Sequence, residues 1–180
     1  MSNHNALIDI SAIHEHTQNP IIKYEIGGYF IKKGNTLEFY VTSVGNPQNK
    51  NRMFVSLPTQ GMIWHTHPPN AGFWPSFEDI NRHNPKHILF SKYGVWIFHN
   101  NPLKNNKNKV KEMKEGYRMF HQFMEYTTQT KGGWDVCNVQ KKIQLFINTM
   151  RDAYNFKIEF IPNWFNNKKV PKNTNIIKRF

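Results

Sequence analysis

The sequence predicts an α/β protein, with short strands in the first half of the chain and helices in the second. The first half contains short β-rich runs separated by turns, whereas the second half contains two segments with apolar residues at helical spacing. An alternating run at 156–161 then predicts one more strand. With 180 residues, of which 38% are hydrophobic, the chain is long enough to form one domain with one sizeable core.

The strands of the first half are predicted from β-branched and aromatic runs that end at glycine or proline. A hairpin is expected at Gly34-Asn35, because Gly34 can adopt a positive φ. Pro85 should end a short helix over residues 76–84. The predicted strands cover residues 24–33, 36–44, 53–57, 61–66, 87–91 and 95–99.

The second half changes to helical spacing after a polar stretch at 100–108. Apolar residues between Val110 and Met124 predict one amphipathic helix, and those between Val139 and Met150 predict a second. We therefore expect a single domain over residues 1–165, with a core at about 20–100 and a helical part at about 107–155. Residues 166–180 are rich in Asn and Lys, and they are predicted to form a basic, mobile tail.

The chain is strongly basic. Lys and Arg number 24 against 12 Asp and Glu, which gives a formal net charge of +12. Such a charge attracts acidic partners, of which nucleic acid is the obvious candidate. The excess is spread along the chain, however, and is accompanied by many Asn and Ile residues. A compositional bias with a solvated basic surface is therefore the favoured interpretation, and nucleic-acid binding is an alternative.

Several functional classes are disfavoured by composition. No run approaches the roughly 18 to 20 apolar residues of a membrane span, and the N-terminal sequence does not resemble a signal peptide. Cys137 is the single cysteine, so an internal disulfide and a thiolate-rich zinc site are excluded. We expect a soluble, cytoplasmic protein in a reducing compartment, with no membrane partner and with Cys137 as a buried, inert thiol.

Polar residues that suit a metal site lie in the segment WHTHPPNAGFWPSFED at 64–79. His65 and His67 are two apart at a predicted strand end, so both side chains leave the same face and can reach one ion. Catalytic zinc takes three protein ligands, and Asp79 can supply the third if the loop at 68–75 folds back. The alternatives are a packed or surface histidine pair, and an N-cap formed by Ser76 with Asp79 as the third helical residue.

These residues resemble the motif of the JAMM (MPN+, Mov34-type) zinc metalloproteases. That motif contains an upstream Glu in the context Glu-x-x-Gly, then His-x-His-Pro, then Ser-x-x-Asp. One departure is that eight residues separate His67 from Ser76, one more than the family usually has, so strict spacing would place Glu78 at the Asp position. The intact Ser-x-x-Asp favours Asp79. The matching segments here are Glu25-Ile26-Gly27-Gly28, His65-Thr66-His67-Pro68 and Ser76-Phe77-Glu78-Asp79.

The resemblance implies an α/β fold of the MPN (cytidine-deaminase-like) kind, a mixed sheet flanked by helices, with a metal site at a strand end. It implies one Zn²⁺ per chain, held by His65, His67 and Asp79. Glu25 would be the general base that activates a zinc-bound water, and Ser76 would help to stabilise the oxyanion. The implied reaction is hydrolysis of an amide or isopeptide bond, with ubiquitin or a ubiquitin-like conjugate as the substrate, as in a deubiquitinase.

Two other functions stay open. The chain could be a JAMM-type protease that processes another peptide or tail, or a basic nucleic-acid-binding or scaffold module with a vestigial site. The presence of all five polar motif residues argues against the vestigial site. The remaining candidate histidines are predicted to be surface or packing residues, namely His14, His16, His83 and His87.

Overall fold

The computed structural model describes residues 5–46, 48, 54–128, 136–162 and 173–180. Within these residues the chain alternates between strands and helices, as expected for an α/β protein. The elements are β1 (Ala6–Ile8), α1 (Ile10–Gln18), β2 (Ile26–Lys33), β3 (Thr36–Val44), β4 (Ile63–Thr66), α2 (Phe77–Ile80), β5 (Lys86–Ser91), β6 (Gly94–His99), α3 (Lys107–Thr128), α4 (Val136–Tyr154), β7 (Ile158–Pro162) and α5 (Asn173–Ile177).

The strands form one mixed sheet in the order β1-β3-β2-β4-β5-β6-β7. Strands β4 and β5 are parallel, and the other neighbouring strands are antiparallel. A parallel pair needs a crossover connection, which the loop at 67–76 and α2 provide here. The predicted fold class, a mixed sheet flanked by helices, is confirmed.

Helices cover both faces of the sheet. Helices α1 and α5 contribute Ile13 and Ile176 to a core with Trp64 of β4. On the opposite face, α3 and α4 contribute Met113 and Phe146, among others, to a second core. Because successive strand residues point to opposite faces, His65 points away from Trp64, toward the face that carries α2, α3 and α4.

The hairpin is confirmed at the predicted turn. Strands β2 and β3 pair from Lys33↔Thr36 outward, and Gly34 has φ +54°, a left-handed conformation that favours glycine. The two predicted helices of the second half are confirmed as α3 and α4, and the strand predicted at 156–161 corresponds to β7. The segment around Gly132-Gly133 and the side chain of Cys137 lie outside the described residues.

The strand predicted at 53–57 is wrong for residues 54–57, which have no regular secondary structure. The backbone N–H of Val55 donates to Oε2 of Glu25 at 3.3 Å, and the N–H of Ser56 donates to Oγ of Ser43 at 3.0 Å. These amides are bonded to side chains, so they do not form the ladder of a sheet. Met53 lies outside the described residues.

The helix predicted at 76–84 is much shorter than expected, because α2 ends at Ile80. Four residues further on, the side chain of Asn84 is turned toward the chain before β4. Its Nδ2 donates to the carbonyl oxygens of Pro58 at 3.2 Å and Gly61 at 3.0 Å. These two hydrogen bonds fix the position of the chain just before β5, so the helix does not continue for a further turn.

The end of the chain differs from the expected mobile tail. Residues 166–172 lie outside the described residues, but α5 follows them and packs on the sheet. Ile176 is fully buried, and the side-chain amide of Asn173 both donates to and accepts from the backbone of Leu37, at 2.9 and 3.3 Å. In the described part of the chain, no helix combines the length and the apolar character that crossing a membrane requires.

The packing of α5 predicts that the C-terminal segment stabilises the domain. Ile176→Ala should lower the free energy of unfolding by about 2–5 kcal/mol, because it removes a fully buried side chain. Urea denaturation followed by circular dichroism measures this change. Lys178→Ala, at an exposed position of the same segment, is the matched control and should change stability little. Equal denaturation midpoints for the two variants would show that α5 is not docked.

Candidate metal centre

The three predicted metal ligands converge at the end of β4. His65 lies in β4, His67 directly follows the strand, and Asp79 lies in the first turn of α2. Asp79 Oδ1 is 3.1 Å from His65 Nε2, and Asp79 Oδ2 is 3.4 Å from His67 Nε2. All three side chains are buried. The crossover from β4 to β5 therefore brings an acid onto the two imidazoles, as the sequence predicted.

These separations suit a small tetrahedral ion. Two nitrogen or oxygen ligands at about 2.0–2.1 Å from one zinc ion lie roughly 3.3 Å apart. The Nδ1–H of His67 donates to the carbonyl oxygen of Gly72 at 2.9 Å, so Nε2 of a neutral His67 presents a lone pair to Asp79. A lone pair that faces a carboxylate requires a proton or a cation between the two. The donor set thus fits a divalent cation such as zinc.

Glu25 lies beside this cluster, immediately before β2, and is buried. Its Oε1 is 3.9 Å from His67 Nε2, and its Oε2 accepts the hydrogen bond from the Val55 N–H. One carboxylate oxygen is therefore held by the backbone while the other faces the histidines. Glu25, His65 and His67 form a group whose ligand atoms are close enough to share an ion.

Ser76 holds the carboxylate of Asp79 in place. Its backbone N–H and its hydroxyl donate to Asp79 Oδ2 at 2.7 and 2.8 Å, and its Oγ accepts from the Asp79 N–H at 3.1 Å. This is the capping box that the Ser-x-x-Asp spacing predicted. The cap fixes Oδ2 and turns Oδ1 toward His65, so the N-cap and the proposed ligand are parts of one arrangement. The predicted catalytic role of Ser76 stays a prediction.

The geometry favours Asp79 over Glu78 as the third ligand. Asp79 contacts both histidines, whereas Glu78 lies at the edge of the adjoining pocket. The extra residue between His67 and Ser76 is accommodated in the loop, and the helix does not need to rotate.

Gly27 permits the close approach of β2 and β4 under the site. Gly27 pairs with His65 in the sheet. A Cβ atom on Gly27 would lie 2.8 Å from the Cβ of His65 and 2.7 Å from the carbonyl oxygen of Trp64, closer than real contacts allow. A glycine two residues after Glu25 therefore lets that carboxylate sit beside the histidines.

The loop between β4 and α2 is anchored by aromatic residues. Phe73 and Trp74 are buried in the core that α3 and α4 cover. Trp96 Nε1 donates to the carbonyl oxygen of Phe73 at 3.3 Å, and the hydroxyl of Tyr117 donates to that of Pro75. The later helices thus hold the loop that carries Asp79 back to the histidines.

The pKa values of Asp79 and His67 depend on their burial and on the opposite charges within the cluster. Burial alone would raise the pKa of Asp79, but the two histidines hold this pKa well below its usual value. Burial alone would lower the pKa of His67, but the hydrogen bond and the charge of Asp79 raise it to about 8. Asp79 is therefore ionised.

A pocket of about 510 Å³ opens beside the cluster. Its walls combine apolar side chains with the acids Glu78 and Glu125 and one guanidinium, that of Arg82. The size suits a small ligand or a short stretch of extended chain. The lining residues are Glu25, Phe54, Val55, His65, His67, Ala71, Gly72, Trp74, Ser76, Glu78, Asp79, Arg82, His121 and Glu125.

The sequence did not predict the position of His87. It was expected to be a surface or packing residue, but it is buried against the cluster, with His87 Nε2 2.8 Å from His65 Nδ1. Burial and the neighbouring His65 lower the pKa of His87 well below its usual value. The other histidines agree with the prediction. His83 is exposed, His14 is partly buried, and buried His16 donates from Nε2 to the carbonyl oxygen of Tyr24 at 2.8 Å.

Comparison with protein families, curated proteins and solved structures finds no match for this chain.

The geometry predicts a stoichiometric metal site. The purified protein should bind about one zinc per chain, and His65→Ala or His67→Ala should remove most of it, because each leaves only two of the three ligands. Elemental analysis after dialysis against micromolar zinc measures the content. His83→Ala is the matched control, since His83 is exposed and belongs to neither group of side chains that could share an ion. Zinc retained in a double His65/His67 variant would refute this site.

Proposed function

We propose that this protein is a zinc-dependent hydrolase of the JAMM type that cleaves an amide or isopeptide bond, removing ubiquitin or a ubiquitin-like protein from a conjugate. The observation that supports this most is the convergence of Glu25, His65, His67 and Asp79, from three separate segments, at one end of β4. The order of these residues along the chain, which is that of the JAMM motif, also supports the proposal.

The side chains have separable tasks in this reaction. His65, His67 and Asp79 would hold the zinc, which when bound would acidify a water molecule and polarise the carbonyl of the scissile bond. Glu25 would accept the proton of the attacking water on Oε1, the oxygen that faces His67, and later donate it to the leaving amine. The Val55 N–H orients that carboxylate by binding Oε2.

Ser76 would contribute in two ways. Its backbone N–H and hydroxyl orient the Asp79 carboxylate. Its side chain also borders the pocket, where the hydroxyl could rotate to donate to the oxyanion. The backbone N–H would keep its bond to Oδ2 during that rotation, so Asp79 would stay in place.

The pocket favours a polypeptide substrate over nucleic acid at this site. Although the chain carries a net charge of +12, acidic Glu78 and Glu125 border the pocket, together with Arg82. These acids would attract a peptide with basic residues near the scissile bond. A protease that processes another basic tail would use the same site.

Nucleic-acid binding is the second candidate, supported by the net charge alone. Such binding would use surface Lys and Arg residues, and it would weaken steeply with added salt. It would not respond to a zinc chelator, so the two functions can be separated on one preparation.

The proposed reaction predicts chelator-sensitive cleavage that depends on Glu25. Incubation with ubiquitin chains should release ubiquitin, a zinc chelator should stop the release, and added zinc should restore it. Glu25→Gln should lower turnover by about 10²–10⁴-fold, because the amide cannot accept the proton, while the zinc content stays near one per chain. Gel analysis of products and elemental analysis measure the two effects.

Glu15→Gln is the matched control for this substitution, because Glu15 is exposed on α1, and it should leave turnover unchanged. Normal turnover in Glu25→Gln would disprove the assigned base. Salt-sensitive nucleic-acid binding with no chelator-sensitive cleavage of any ubiquitin-like conjugate would favour the second candidate.

A further inference from the structure

Two hydrogen bonds connect the backbone of α2, through His87, to Nδ1 of His65. His65 Nδ1 is 2.8 Å from His87 Nε2, and His87 Nδ1 is 3.1 Å from the carbonyl oxygen of Asp79. The two rings are inclined by only 22°, with centroids 4.9 Å apart. The three residues are buried.

The direction of both hydrogen bonds follows from the carbonyl oxygen of Asp79, which can only accept. A carbonyl oxygen cannot donate, so His87 Nδ1 carries the proton that is donated to Asp79. In a neutral His87, Nε2 is then an acceptor, and His65 Nδ1 must donate to it. His65 Nε2 is left with its lone pair on the side of Asp79 Oδ1, at 3.1 Å.

The short nitrogen separation argues against His87 as a ligand. His87 forms, with His65 and Asp79, a second group whose ligand atoms lie close enough for a metal. Two nitrogens on one tetrahedral zinc ion lie roughly 3.3 Å apart, however, whereas His65 Nδ1 and His87 Nε2 are 2.8 Å apart. That distance is typical of a hydrogen bond.

Strand pairing places His87 next to His65, on the Nδ1 side of the His65 ring. The parallel register of β4 and β5 sets His65 opposite Leu89, and His87 lies two residues before Leu89 on the same face of β5. On its other side His87 packs against Phe98 of β6, with ring centroids 5.2 Å apart. The ring is therefore held by the sheet itself, independently of any metal.

We propose that His87 is a positioning residue that fixes His65 as the Nδ1–H tautomer, so that Nε2 faces the metal. Asp79 then acts twice: its carboxylate is a ligand, and its carbonyl oxygen sets the tautomer of His87 and, through it, that of His65. Metal-binding histidines commonly need such a partner on the second ring nitrogen, and losing it weakens metal binding by about 10–100-fold. The inference rests on the proposed metal site, in which His65 binds through Nε2.

The tautomers can be read directly in the unaltered protein. Long-range ¹H–¹⁵N correlation spectra of the metal-free and zinc-loaded chain distinguish Nδ1–H from Nε2–H imidazoles. Both His87 and His65 should be Nδ1–H tautomers, in the zinc-loaded protein as well as in the metal-free one. An Nε2–H tautomer at His87 would overturn the proposal. Because the metal-free spectrum is informative, this result does not depend on catalysis or on zinc binding.

Two substitutions then test the effect on the metal. His87→Phe keeps an aromatic ring beside Phe98 but cannot accept from His65, and it should raise the Kd for zinc by about 10–100-fold. His87→Gln can accept from His65 and donate to Asp79, so it should recover most of the affinity. His99→Gln is the control, since His99 on β6 is bonded to Glu159 at 2.7 Å and should leave the Kd unchanged. Competition with a zinc-binding dye measures each Kd.

The outcomes separate this inference from the proposed function. Failure of the wild-type protein to bind zinc would refute the metal site. The tautomers of His65 and His87 would still test the hydrogen bonds from His65 to His87 and from His87 to Asp79. Wild-type affinity in His87→Phe would refute the positioning role. Loss of all zinc in both His87→Phe and His87→Gln, with native circular dichroism spectra, would instead make His87 a ligand and overturn the proposal. If His87→Phe does not fold, His87→Gln and the tautomers decide.

Discussion

The carboxylate of Asp79 is the group on which the arrangement of the site depends. It is buried, and it contacts His65, His67 and both the hydroxyl and the backbone N–H of Ser76. A buried carboxylate is costly unless it is paired and hydrogen bonded. Its position therefore requires the two imidazoles, the helix cap and the intervening loop to be in place together, and a bound cation would complete the compensation of its charge.

The rest of the fold supports that position from both sides. Strand β2 approaches β4 closely because Gly27 has no side chain, and this brings Glu25 to the cluster. On the other side, β5 places His87 behind His65. Helices α3 and α4 cover Phe73 and Trp74 of the loop, so their role is to hold the crossover to α2 in its folded position. Stability and site geometry thus depend on the same aromatic core.

The sequence predicted those parts of the site that depend on local spacing. His65 and His67 share a face because strand residues alternate, and Ser76 with Asp79 forms a cap because helix N-termini need side-chain acceptors. Glu25 was predicted only through the resemblance to the JAMM motif. His87 was missed because its place follows from the parallel register of β4 with β5, which no local pattern encodes.

The same distinction applies to the fold. The hairpin at Gly34-Asn35 and the two amphipathic helices were predicted from local patterns, and they are present. The apolar run at 54–57 is not a strand, because its amides bond to Glu25 and Ser43. Helix α5 was expected to be part of a mobile tail, since two isoleucines, Ile176 and Ile177, among basic and polar residues give little local signal.

In the proposed site one ion is held by His65, His67 and Asp79, with Glu25 nearby but not bonded to it. A crystal structure of the zinc-loaded protein, with anomalous data collected at the zinc absorption edge, tests this most directly. The account predicts one anomalous peak at about 2.0–2.2 Å from His65 Nε2, His67 Nε2 and a carboxylate oxygen of Asp79. A peak bonded to Glu25 in place of Asp79, a peak between His65 and His87, or no peak at the cluster would contradict it.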